Sequence, residues 1–216
     1  MAKLTPDILL RAYAVGLFPM AEHRNDQALY WIDPEKRGIL FPERFYVPKR
    51  LKRTVRSQKF RISCDLAFEE VIRSCSEPTP DRNESWINEE IIGLYIELHR
   101  IGRAHSIETW LNGTLVGGLY GVALGAVFFG ESMFSRKNDA SKVALVHLIA
   151  RLKKGNFRLL DTQFATPHLL QFGVAELPRA GYQDFLSSAL EQTAIFHPQL
   201  PQCEIEDFLQ SITHTS

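Results

Sequence analysis

The stretch from His105 to Ser132 constrains this chain more than any other. HSIETW (105–110) is soon followed by Asn112-Gly113, a dipeptide suited to a two-residue hairpin turn because both residue types tolerate positive φ. LVGGLYGVALG (115–125) and AVFFGES (126–132) then complete three consecutive strands that read as an antiparallel meander. Gly117, Gly118, Gly121 and Gly125 make the middle strand unusual, since glycine inside a strand marks a bulge or a place where another backbone or a ligand comes close.

Helical patterns surround the meander. Thr5-Pro6-Asp7 starts a helix over Ile8 to Val15 that Gly16 and Pro19 close. Residues 22 to 37 are polar and turn-rich around Trp31-Ile32-Asp33-Pro34, a hinge between a small amino-terminal unit (1–36) and the main domain (37–216). Asp65 can cap a helix carrying Phe68, Val71, Ile72 and Cys75; SEPTPDRNES reads as a loop, and a second helix presents Ile91, Ile92, Tyr95 and Leu98. After the meander, Asn138 or Asp139 caps a helix with Ala144, Leu145, Leu148, Ile149 and Leu152, which Gly155 ends. FRLLDTQ reads as a strand, Thr166-Pro167 opens a short helix stopping at Gly173, and a last helix over 179–195 precedes a polar tail. The expected layout is α+β, with helices before and after a largely antiparallel sheet that they cover. That order resembles the acyl-CoA N-acyltransferase-like, or GNAT-like, fold.

The chain has 216 residues, 45% hydrophobic and 23% charged, with no apolar run approaching the roughly 20 residues that span a bilayer. Its amino-terminal residues lack the pattern of a secretory leader, so no membrane association and a cytoplasmic location are expected. Cys64, Cys75 and Cys203 are odd in number and widely spaced, which points to buried packing groups rather than disulfides or a zinc site. Formal charge sums to zero, so a general attraction to polyanions is not implied. KRLKRTVRSQKFR (49–61), however, contains no acid, and with Pro48 in the first helical position it sets Lys49, Arg53 and Arg56 on one face and Leu51 and Val55 on another.

FFGESMFSR (128–136) places a carboxylate, Glu131, in an apolar run. Burying an ionised group without partners costs several kcal/mol, so Glu131 is either paired, with Arg136 or backbone donors, or put to use. No P-loop, Rossmann glycine fingerprint, Gly-x-Ser-x-Gly elbow or His-Glu-x-x-His helix is present. The junction SRKNDASK (135–142) also lacks the glycine-rich cradle that a coenzyme A pyrophosphate needs; Arg136 and Lys142 there suit phosphates of a larger anionic ligand.

Five segments together carry a resemblance: GESMFSR (130–136), ASK (140–142), HSIE (105–108), GGLYGV (117–122) and DTQ (161–163). Over about Leu9 to Leu186 the chain resembles the leucyl/phenylalanyl-tRNA-protein transferase family. The resemblance implies transfer of Leu or Phe from Leu-tRNA or Phe-tRNA to proteins with amino-terminal Arg or Lys, within the N-degron degradation pathway, with neither metal nor nucleotide cofactor; a monomer is expected. Two other readings stay open: a related tRNA-dependent transferase acting on cell-wall peptides, and a tRNA-binding module without catalysis.

The chemistry is aminolysis of an ester, which needs a neutral amine, a held carbonyl and a place for protons. Period-two alternation in LLDTQ puts Asp161 and Gln163 on one face of a strand, and the family assigns these positions to catalysis. Gln163 then reads as a positioning group and Asp161 as the acceptor that orients it or collects the proton, with the ribose 2'-hydroxyl and solvent as other proton acceptors. Glu131 completes the catalytic set, holding the aminoacyl ammonium or orienting the acceptor amine. The resemblance further implies an aminoacyl pocket of Leu119, Met133, Leu145, Leu148, Leu152 and Leu160, and aromatics for the terminal adenosine at Tyr13, Trp86 and Tyr95. Met20 replaces the Trp that often follows Phe-Pro in the family. Lys49, Arg53 and Arg56 match its contact with the tRNA backbone.

Overall fold

The computed structural model describes residues 4–21, 29–78 and 85–212; the first part of the expected hinge (22–28) and most of the expected loop (79–84) lie outside them. Helix α1 (Pro6–Ala14) begins as its sequence directs, with Thr5 Oγ1 accepting from the Ile8 N–H. Strands β1 (Phe18–Met20) and β2 (Tyr30–Ile32) form a small antiparallel pair. The main body then runs β3 (Lys36–Leu40), α2 (Lys49–Arg56), β4 (Arg61–Cys64), α3 (Phe68–Ser76) and α4 (Glu89–Arg100). It continues through β5 (Ala104–Leu111), β6 (Thr114–Leu124), β7 (Val127–Ser135), α5 (Ala140–Lys154) and β8 (Leu159–Gln163). The chain closes with α6 (Pro167–Leu170), β9 (Ala175–Pro178), α7 (Arg179–Leu190) and α8 (Gln202–Ser211).

Seven strands make the sheet in the order β4-β5-β6-β7-β8-β3-β9. The expected meander is its centre, with β5 paired to β6 through the Asn112-Gly113 turn and β6 paired to β7. Every pairing is antiparallel except β7 with β8, which is parallel and spans only Val127↔Leu159 to Phe129↔Asp161. Helices cover both faces: α2, α5 and α8 pack into one apolar cluster, α1, α3, α4 and α7 into another. The structure is thus α+β with a mostly antiparallel sheet. At Gly117 a Cβ would stand 2.5 Å from the Ala140 Cβ, so glycine lets the start of α5 lie directly on β6; the close approach is by the protein itself.

Several expectations fail locally for identifiable reasons. Pro48 is the residue before α2, in extended backbone, rather than its first helical residue. Asp65 does not cap α3: it adopts φ 59° and accepts from the Ser106 N–H at 2.8 Å, tying the β4 end to β5. Asp139 stands before α5 at φ 68° without a side-chain capping bond. Strands β3, β4 and β9 escape sequence patterns because they are short. The polar tail contains α8, whose Ile205, Phe208 and Leu209 are buried, each burial stabilising by about 1.5–3 kcal/mol. Cys64 and Cys75 are buried as expected, whereas Cys203 on α8 is exposed.

Candidate active site

Strands β7 and β8 part after Phe129↔Asp161, and each bulges as it leaves the ladder. On β7, Gly130 pairs with Gly121 and Ser132 with Tyr120, so Glu131 is the extra residue. On β8, Asp161 pairs with Ile39 and Gln163 with Gly38, leaving Thr162 as the extra residue, and Gln163 turns to φ 55°. The opening between the strands holds a cavity of about 300 Å³, a volume at the small end for ligand pockets. Its walls are largely apolar: Leu119, Met133, Leu145, Leu148 and Leu160 all line it, with Phe18, Phe164 and Leu169. Leu152, assigned to the same pocket from sequence, does not; it is wholly buried in the core cluster around α5.

Glu131 sits at the polar edge of this cavity. Tyr13 donates to its Oε1 at 2.6 Å and Tyr95 to its Oε2 at 2.9 Å, while the Gln163 amide nitrogen lies 3.4 Å from Oε1. The two tyrosine hydroxyls also touch each other. Burial raises the Glu131 acid to about 7, against the tyrosine hydrogen bonds, which pull it down. Burial first, then the Glu131 charge, holds both tyrosines well above the ordinary phenol range, so they remain donors. Glu131 is therefore paired by tyrosines and not by Arg136, which instead meets Glu77 at 2.8 Å and Ser74 at 3.1 Å. Lys142, the other cation proposed for phosphates, faces Asp139 at 3.4 Å.

The alternation expected across LLDTQ breaks at the Thr162 bulge, and the two side chains take different directions. Asp161 is fully buried and turns to Arg37, which reaches its Oδ2 at 2.7 Å; both side chains are almost wholly removed from solvent. Tyr182 donates to the same carboxylate at 2.6 Å, and the Gln163 backbone N–H donates at 2.8 Å. Asp161 thus positions Gln163 through its main chain. Arg37 donates also to the Gly16 carbonyl at 2.8 Å and lies 4.7 Å from both the Phe18 and Tyr182 rings. Burial opposes the Arg37 charge, yet Asp161 outweighs it and holds the guanidinium firmly protonated.

Trp86 and Met20 line the cavity, whereas Tyr13 and Tyr95 lie fully buried beside Glu131 and offer no ring face to a base. Lys49, Arg53 and Arg56 are exposed along α2, with Leu51 and Val55 buried on its other side; Arg56 is ion-paired with Glu206 at 3.1 Å. Sequence reasoning missed Arg37, Tyr182, Phe18, Thr162, Phe164 and His168. A carboxylate inside an apolar strand demands a buried cation, but Arg37 lies 124 residues from Asp161 and nothing local marks it. Among the described residues no group of three or more His, Cys, Asp or Glu side chains is arranged to hold a metal ion.

Two family models match this sequence: leucyl/phenylalanyl-tRNA protein transferase over residues 39–187, and the N-terminal domain of the same enzyme over residues 2–35. A protein of Paramagnetospirillum magneticum named leucyl/phenylalanyl-tRNA-protein transferase is 64% identical over 196 residues, covering 91% of this chain and 94% of its own length. Proteins of the same name from Nitrobacter winogradskyi and Rhodopseudomonas palustris are 55% and 56% identical, covering 90% and 89% of this chain and 87% and 84% of theirs. Among solved structures, a functionally unknown conserved protein from Staphylococcus epidermidis overlaps 82% of this chain and 65% of its own at 10% identity; its TM-score of 0.40 carries no argument. On the family models and these relatives, the chain belongs to the leucyl/phenylalanyl-tRNA-protein transferase family.

Proposed function

We propose that the chain is an aminoacyltransferase that moves Leu or Phe from the 3' end of Leu-tRNA or Phe-tRNA to the amino terminus of proteins beginning with Arg or Lys, in the cytoplasm, as a monomer serving N-degron degradation. The observation that carries the reading is a carboxylate, Glu131, and an amide, Gln163, meeting at the mouth of an apolar cavity. Leu119, Met133, Leu145, Leu148 and Leu160 receive the aminoacyl side chain, whose recognition by apolar area is worth only about 1–3 kcal/mol per methylene, so shape sets selectivity. Trp86 and Met20, at the rim, cover the terminal adenosine.

The acceptor α-amine has an ordinary pKa of about 7.7–8 and must lose a proton before attack. Glu131, lifted to about 7, is matched to accept it near neutral pH. The amine nitrogen then bonds to the ester carbonyl carbon, and Gln163 donates its amide N–H to the reacting groups. Breakdown of the tetrahedral intermediate breaks the bond to the ribose 3'-oxygen, which takes a proton and leaves as the tRNA hydroxyl. Asp161 is a positioning residue here: with Arg37 and Tyr182 it fixes the turn that carries Gln163. No metal or nucleotide enters the scheme.

In this reading residues 1–36 are a small amino-terminal unit that supplies Tyr13 and Met20, and residues 37–216 are a catalytic domain of GNAT-like architecture, whose parting of β7 from β8 makes the cavity. Lys49, Arg53 and Arg56 on α2 contact the tRNA backbone, which positions without reading sequence. Mass spectrometry of an Arg-starting peptide mixed with Leu-tRNA and the protein tests the reaction: addition of one leucine residue is expected, and an unmodified peptide overturns it.

A further inference from the structure

A second cleft lies on the far side of α5 from the catalytic cavity. Leu145 and Leu148 face the catalytic cavity, whereas Val143, His147 and Arg151 line a separate space of about 310 Å³. Thr54 of α2, Gln58, Arg61 of β4 and Gln202 at the start of α8 add polar groups to its wall, and Val55, Phe60, Ile62 and Leu200 apolar ones.

Its two arginines make no ion-pair contact among the described residues. Arg151 is 4% exposed and donates to the backbone carbonyls of His147 and Pro198, and among the described residues no carboxylate lies within ion-pair distance of it. Cys64 lies beside it, and Asp65 and Glu108 act on it from beyond ion-pair distance while their oxygens accept from other groups: Asp65 meets His105 and the Ser106 N–H, Glu108 the Ser63 and Ser106 hydroxyls. Arg61 stacks over Trp110 at 5.0 Å and likewise has no carboxylate partner among the described residues. His147 is 6% exposed, lines the cleft, and makes no side-chain hydrogen bond among the described residues. At the rim, Asp139 and Glu206 are already paired with Lys142 and Arg56. A buried guanidinium with no carboxylate in direct contact is costly, and an anion brought to it with further N–H and O–H donors offsets that cost.

We propose that this cleft binds a phosphate group, with Arg61 and Arg151 supplying charge and Gln58 and His147 supplying hydrogen bonds, joined by Thr54 and Gln202 when they turn from Asp139 and Glu206, which their side chains meet at 3.4 and 3.5 Å. Burial, reinforced by Arg151, lowers the His147 imidazole to about 3, so the ring is neutral and offers one N–H to a phosphate oxygen. The phosphate comes from the tRNA backbone running on past α2 or from a free phosphate compound. The first source rests on the transferase reading; the second does not.

Titrating inorganic phosphate into the full chain while following the His147 ring signals by NMR tests the site without using transfer activity. A saturable change is expected, absent with chloride at equal ionic strength, and weakened about tenfold in Arg61→Ala, an exposed position whose loss spares the fold. If the same signals respond to uncharged tRNA and Arg61→Ala lowers the salt slope of tRNA binding by about one, the backbone supplies the group. If phosphate saturates the cleft and tRNA leaves it unmoved, the ligand is a free phosphate compound. His147 signals that move with neither overturn the proposal, whereas absent transfer with phosphate binding intact overturns only the transferase reading.

Discussion

Arg37 and Asp161 form a buried ion pair at 2.7 Å, with 1% and 0% of their side chains exposed, and on it rests the turn that brings Gln163 to Glu131. Removing one member strands the other's charge. Arg37→Met is expected to lose about 3–5 kcal/mol in urea unfolding, and Asp161→Asn in the same background to recover part of that. A double variant that loses the sum of the Arg37→Met and Asp161→Asn single losses would show that the pair is not coupled.

The fold was legible where patterns were long and local. The meander, its Asn112-Gly113 turn and α5 all stand where periodicity and turn chemistry put them. Short strands were not: β3 reads as a few residues before a proline, yet it sits between β8 and β9 and carries Arg37. At the site, Glu131 announced itself as a charge in an apolar run, but its tyrosine partners Tyr13 and Tyr95 lie 118 and 36 residues away and were read as stacking groups. Strict alternation also misled at Gln163, because a bulge is invisible to a period-two count.

Burial raises the Glu131 acid, and the hydroxyls of Tyr13 and then Tyr95 pull it back down. The Tyr95 hydroxyl donation stabilises the carboxylate, so Tyr95→Phe should push the Glu131 acid above its value of about 7. The low-pH limb of the kcat/KM profile for transfer is then expected to move upward by about one pH unit, the size of one charge-assisted hydrogen bond. An unmoved limb would detach Glu131 from the titration.

Gly38 sits under the turn after Gln163, where a Cβ would stand 2.4 Å from the Phe164 carbonyl carbon. Gly38→Ala is expected to displace that turn and cut kcat for transfer at least tenfold, the scale of losing a positioned group. Gly93→Ala is the control: its Cβ meets nothing within 4 Å inside α4, and a stability gain of about 0.5–1 kcal/mol with normal transfer is expected. Melting and steady-state rates on both variants decide.

Along α2, replacing Lys49, Arg53 and Arg56 with Gln is expected to weaken tRNA binding and flatten its salt dependence by up to about three in slope. Transfer from a minimal aminoacyl-adenosine donor should be unchanged. Equal damage to both donors would remove the helix from the tRNA path.

In the proposed mechanism the Glu131 carboxylate serves the amine, and Glu131→Gln removes its charge while keeping its size. Burial lifts this acid from 4.5 to about 7, so its stabilising proton is fully held below about pH 4.5 and lost as pH rises through about 7. Glu131→Gln, always neutral, should therefore be more stable than the wild type above pH 7, by up to about 3 kcal/mol, and equal to it at low pH. With folding secured, its transfer of leucine to an Arg-starting peptide is predicted to fall on the order of a hundredfold or more. A folded Glu131→Gln protein that transfers at close to the wild-type rate would contradict the account.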